Sequence, residues 1–168
     1  MNKIKILIPV YNDWQSVFKL LENINSEVST LDAEFSVIII NDASTEERLE
    51  FLVDLDNLKS LQVINMRENR GHARCNAVGL KYINEKEDFD YVIPIDGDGE
   101  DRPQEISLLI EKIKEYPDTV ITANRVKRSE GFIFRFCYLV HKYLTLVFTG
   151  QTIKYGNYTC LPKSAVNA

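Results

Sequence analysis

Tyr91-Val92-Ile93-Pro94-Ile95-Asp96-Gly97-Asp98-Gly99-Glu100-Asp101-Arg102-Pro103 passes from an apolar run into a crowd of carboxylates and then to a proline suited to opening a helix. Residues 91–95 are short, β-branched and aromatic, which predicts a buried strand, and the polar cluster at their end marks the strand's carboxyl edge. A helix over Pro103–Tyr116 and a strand over Thr119–Ala123 follow. Upstream the same alternation holds. Lys3–Val10 reads as a strand closed by Tyr11-Asn12-Asp13. Val17, Leu20, Leu21 and Ile24 recur at helical spacing after Ser16 as a candidate N-cap. Phe35–Ile40 and Leu61–Met66 read as strands, and Thr45–Leu55 and His72–Ile83 as helices. Such alternation predicts an α/β fold, a three-layer α/β/α sandwich whose mostly parallel central sheet binds ligands at the carboxyl ends of its strands.

The chain has 168 residues, 45% hydrophobic and 27% charged, as expected of one soluble domain. Its 20 basic and 25 acidic residues leave a net charge of -5, which argues against nucleic acid as a partner. Cys75, Cys137 and Cys160 are odd in number and far apart, so neither a disulfide framework nor a zinc site is expected. With no secretory signal at the N-terminus, a cytoplasmic location is expected. Phe132–Phe148 is strongly apolar but broken by Arg135, His141 and Lys142. A helix there either lies in a membrane interface, placing the protein peripherally on the cytoplasmic membrane face, or packs on the core.

Asp96, Asp98 and Glu100 alternate along the backbone, and hard oxygens gathered on one side suit Mg²⁺ or Mn²⁺ bridging two phosphates. A solvated acidic turn has the same appearance, while an EF-hand calcium loop does not, because its glycine and terminal glutamate are missing. Asn41-Asp42-Ala43-Ser44 forms a second polar edge: Ser44 suits a helix cap, and Asp42 either a cap or an acceptor for a base or ribose. No Gly-rich phosphate cradle is present, so a diphosphate would need metal and cations, for which Arg70 and Arg125 follow strands. Lys127 reads as a surface charge, and His72 as a helix-start residue rather than a general base.

In this order, Ile8-Pro9-Val10-Tyr11-Asn12-Asp13, Asn41-Asp42-Ala43-Ser44, Asn69-Arg70-Gly71-His72-Ala73 and Asp96-Gly97-Asp98 resemble the family 2 glycosyltransferases of GT-A fold. The run from Asp96 to Glu105, with Ala123-Asn124-Arg125, is most similar to the dolichyl- and polyprenyl-phosphate sugar transferases. Tyr155-Gly156-Asn157-Tyr158 looks like the stretch before their last acceptor-side element. The resemblance implies one GT-A domain over 1–168, with a nucleotide-sugar and metal part (1–125) and an acceptor part (126–168) carrying an amphipathic helix over 132–148. It implies that Pro9, Tyr11, Asn12 and Asp13 line the nucleotide pocket, Asp42 contacts the base and Arg70 lies beside the nucleotide. Asp96 and Asp98 would flank the metal, Glu100 would add a ligand, and Arg125 with Arg128 would face donor diphosphate or acceptor phosphate. Asn41, Asp13 and Ala43 depart from the more usual aspartate, glutamate and glycine. The end at Ala168, without appended membrane helices, reads as a truncated or minimal enzyme.

The implied reaction is metal-dependent, inverting transfer of a hexose from a UDP- or GDP-linked sugar to a lipid phosphate or glycan, as in cell-envelope glycan synthesis. An acceptor phosphate needs no base; a sugar hydroxyl would call on Asp101. Two rivals are a non-catalytic nucleotide-sugar-binding subunit and a nucleotidyltransferase, though the latter expects a Gly-rich, lysine-containing loop where Pro9-Val10-Tyr11-Asn12-Asp13 stands.

Overall fold

The computed structural model describes residues 1–46, 54–98, 101–123 and 158–167. Its strands are β1 (Asn2–Val10), β2 (Ala33–Asn41), β3 (Ser60–Asn65), β4 (Tyr91–Pro94), β5 (Ile121–Thr122) and β6 (Thr159–Pro162). The helices are α1 (Trp14–Val28), α2 (His72–Lys86), α3 (Ile106–Glu115) and the short α4 (Lys163–Val166), with a 3-10 turn, Pro103–Glu105, before α3. The described strands form a six-stranded sheet in the order β3-β2-β1-β4-β6-β5. β1, β2, β3 and β4 pair in parallel, whereas β6 runs antiparallel to both β4 and β5.

Side-chain alternation along the parallel strands builds two cores, one on each face. Ile4, Ile6 and Ile8 of β1, with Phe35, Val37 and Ile39 of β2, meet the apolar stripe of α1 (Val17, Leu21, Ile24) and that of α3 (Ile106, Ile110, Ile113). Leu7, Ile38, Ile40 and Val92 point the other way, toward Cys75 and Ile83 of α2. Gly79 lets α2 lie close: a Cβ there would stand 2.3 Å from Leu7 Cδ1. Lys5 interrupts the apolar β1 run but is neutralised by Glu87 at 2.8 Å, with only 9% and 15% of the two side chains exposed.

Two sequence expectations change. The α1 cap is Asp13, whose carboxylate accepts from the Ser16 N–H at 3.3 Å, and Ser16 lies inside the helix. The last strand of the march shrinks to Ile121–Thr122 and does not pair with β4, because β6 enters between them in the opposite sense. The helix expected over 45–55 falls largely outside the described residues, and its ends at 45–46 and 54–55 are not helical. The helix expected over 132–148 lies outside them altogether, as does Cys137. Cys75 and Cys160 are free and buried. Among the described residues no helix is long and apolar enough to cross a membrane.

Candidate functional site

The carboxyl ends of β1 and β4 are neighbours, and beyond them opens a cleft of ≈ 200 Å³ lined by Pro9, Val10, Tyr11, Asp13, Val17, His72, Asp96, Gly97 and Asp98. Parallel pairing causes this, since it brings the loops that follow both strands to the same edge. Asp96 and Asp98 both reach the cleft, but residues 97–98 form a turn, so a change of chain direction, not extended alternation, brings them together. Gly97 allows that turn to press on β1: a Cβ there would lie 3.2 Å from the Pro9 carbonyl oxygen and 3.1 Å from Val17 Cγ2. Beneath the turn, the buried Asp101 carboxylate accepts the Asp96 N–H at 3.1 Å.

Pro9, Tyr11, Asp13, Asp96 and Asp98 therefore share one cleft. Asn12, Asp42 and Arg70 do not line this cleft, and each makes contacts within the neighbouring loops. Asn12 has φ +50°, and its side-chain oxygen accepts from the N–H groups of Thr45 (2.8 Å) and Glu46 (3.2 Å). Its own N–H donates to Ser44 Oγ at 2.9 Å, so Ser44 ties the loops after β1 and β2 together. Asp42 is 3% exposed, and its two oxygens accept the N–H groups of Arg70 and Gly71, each at 2.8 Å. It thereby docks the β3–α2 loop on the sheet edge, and Gly71, at φ +83°, supplies a backbone geometry that side chains resist. The Arg70 guanidinium is half exposed and pairs with Glu68. Burial, with Asp42 adding to it, pushes the Cys75 thiol up to about 12, so this thiol is a neutral packing group. Glu100, Arg125 and Arg128 lie outside the described residues.

His72, read from sequence as a helix-start residue, also lines the cleft. As the first residue of α2, it places Nε2 at 3.4 Å from Asp96 Oδ1 and 2.9 Å from the Asn76 side chain one turn on. Its position at a helix start just past the carboxyl edge, four residues before Asn76, was the only signal available.

Asp96 and Asp98 are hard oxygen donors lining the cleft. Among the described residues no three His, Cys, Asp or Glu side chains converge to cage an ion. Two carboxylates, with the remaining positions left to water and phosphate oxygens, are the donor set that suits Mg²⁺ or Mn²⁺ held jointly with a diphosphate.

A curated relative, the undecaprenyl-phosphate 4-deoxy-4-formamido-L-arabinose transferase of Proteus mirabilis, is 28% identical over 161 residues. That alignment covers 96% of this chain but 48% of the relative, so the chain spans about half the relative's length. Among solved structures, glucosyl-3-phosphoglycerate synthase from Mycobacterium tuberculosis, in complex with Mn²⁺, UDP and glucosyl-3-phosphoglycerate, superposes with a TM-score of 0.65 at 13% identity. It matches 97% of this chain and 57% of its own. The mannosyltransferase PcManGT from Pyrobaculum calidifontis, in complex with GDP-Man and Mn²⁺, gives 0.59 at 18% identity, over 84% and 39%. These likenesses identify the sheet and its flanking helices as the GT-A fold of glycosyltransferases. The model of glycosyl transferase family 2 matches residues 5–161, from the first buried strand to the antiparallel one that closes the sheet, and the chain belongs to that family.

Proposed function

We propose that this domain transfers a sugar from a nucleoside diphosphate sugar to a polyprenyl phosphate, inverting the anomeric carbon, and that it uses a divalent ion held by Asp96 and Asp98. The carrying observation is the meeting of these two carboxylates with Tyr11 and Asp13 across one cleft at the carboxyl ends of β1 and β4. The P. mirabilis relative, whose name specifies a polyprenyl phosphate acceptor, adds support for the acceptor class. In the donor complex Pro9, Tyr11 and Asp13 line the nucleotide, and Asp42 fixes the adjoining loop beside the base. When bound, the divalent ion neutralises charge on the departing diphosphate. An acceptor phosphate oxygen forms the new bond to the anomeric carbon while the bond to the diphosphate breaks, its electron pair leaving with the nucleoside diphosphate. Asp101, 3% exposed and accepting the Asp96 N–H, is suited to holding the loop rather than to removing a proton. That suits an acceptor that arrives ionised. Arg125 and Arg128 are assigned, from the resemblance, to the donor diphosphate and acceptor phosphate. Glu100 is a candidate further ligand. Residues 126–168 are assigned to the acceptor side, with the apolar stretch 132–148 facing the cytoplasmic membrane surface, where such a lipid resides.

The donor site is tested by thermal shift with UDP, GDP and CDP and their sugar conjugates, with and without Mn²⁺ or Mg²⁺. One nucleotide at about 100 times its Kd stabilises by roughly 2.7 kcal/mol. The expected result is a metal-dependent shift with one base, lost in Asp98→Ala; no shift with any nucleotide overturns the donor assignment.

A further inference from the structure

We propose that His72 is a positioning residue of this site, orienting the Asp96 carboxylate for the divalent ion; the inference rests on reading the cleft as a metal and nucleotide site. Asp96 is held from two directions. Its backbone N–H is fixed by the buried Asp101 carboxylate at 3.1 Å, and its Oδ1 faces His72 Nε2 at 3.4 Å. The backbone that carries the imidazole is fixed, although the ring itself is half exposed. Gly71 sets the entry into α2, Asp42 clamps the N–H groups of Arg70 and Gly71 at 2.8 Å each, and Gly79 seats the helix against Leu7. One turn on, the Asn76 carboxamide stands 2.9 Å from the same ring nitrogen. Among the described residues its Oδ1 is buried with no hydrogen-bond partner, and turning the amide over would offer that oxygen to the imidazole while moving the NH2 to the buried position. With a hydrogen on Nε2, the ring would then face the side-chain oxygens of both Asn76 and Asp96.

A donor on Oδ1 decides which oxygen and lone pair of Asp96 remain for the ion. Outer partners of this kind orient metal-binding carboxylates, and their removal costs about 10- to 100-fold in metal affinity. The 3.4 Å separation is long for a hydrogen bond, as such contacts commonly are without ligand. His72 binds no substrate in this scheme and acts through Asp96.

The test is Mn²⁺ titration, followed by the electron paramagnetic resonance signal of the free ion, into protein saturated with UDP and separately with GDP. We expect His72→Ala to weaken Mn²⁺ binding about 10- to 100-fold. His72→Gln, which keeps a side-chain N–H, should recover most of it, and Asp98→Ala should bind least. The His72 side chain is 50% exposed, so these variants should melt with the wild type. If Asp98→Ala loses the ion while His72→Ala binds it like the wild type, the positioning role is overturned and the metal site stands. If the wild type binds no Mn²⁺, or Asp98→Ala binds it unchanged, the metal-site reading fails and the positioning role falls with it.

Discussion

Gly97 and Ala43 are two small residues that the site treats in opposite ways. At Gly97 a methyl group would meet the Pro9 carbonyl oxygen at 3.2 Å, and backbone cannot swing aside as a side chain can. Gly97→Ala should therefore displace the Asp96–Asp98 turn, destabilise by about 1–3 kcal/mol in urea denaturation and weaken Mn²⁺ binding. An unchanged midpoint and affinity would mean that the turn has room to spare. Ala43 sits at φ +57°, a left-handed conformation in which a Cβ is unfavourable. Ala43→Gly relieves that strain, less the extra freedom gained by the unfolded chain, for a net stabilisation of about 1 kcal/mol. Loss of stability on that replacement would contradict the strain. The sequence pointed to both positions without their reasons. Asp-Gly-Asp was legible as a carboxylate cluster, but the demand for glycine comes from Pro9 and Val17, far away in the chain. The parts given to Asn12 and Ser44 were likewise hidden, because their partners lie on another loop.

At the scale of elements, the parallel half of the sheet was readable because each βα unit carries its own signals. Apolar runs of strand length are followed by helical periodicity, and the polar turns mark the carboxyl edge. β6 was not readable. Thr159–Pro162 is brief, and its pairing with β4 and β5 joins segments distant in sequence, so no local periodicity announces it. The Lys5–Glu87 pair that links β1 to the end of α2 carries a pH prediction. The hydrogen bond from Lys5 holds the Glu87 carboxyl below its ordinary value of 4.5, outweighing its burial, and Gln62 assists. A lowered folded-state value means that the stabilisation is complete above about pH 4.5 and fades as pH falls through the lower folded value. Lys5→Met leaves Glu87 enclosed without its cation and should cost about 3–5 kcal/mol at pH 7. The deficit should shrink below pH 4.5, where protonation removes the uncompensated charge; urea titrations at pH 7 and pH 3.5 that show an equal deficit would contradict this. The stretch 132–148 carries its own test, in which aspartate at Phe134 and Leu139 should release the protein from anionic liposomes; undiminished retention would remove the membrane assignment.

For the whole molecule, the three layers explain why chemistry gathers at one edge: helices cover both faces of the sheet, and the loops after β1 and β4 have only the carboxyl edge on which to meet. Burial pushes the Cys160 thiol up to about 12, as it does that of Cys75, so alkylation at pH 8 should leave both unmodified in the folded protein and label them in urea. Rapid labelling of either in the native state would contradict their enclosure. The most direct measurement of the central claim is the transfer itself. Labelled UDP- and GDP-sugars are incubated with undecaprenyl phosphate, Mn²⁺ and the protein, and label is followed into the lipid phase. The expected result is lipid-linked sugar of inverted anomeric configuration, formed with one donor, abolished by chelation and by Asp98→Ala. Donor binding with no label in the lipid under any of these conditions would contradict the transfer to a polyprenyl phosphate.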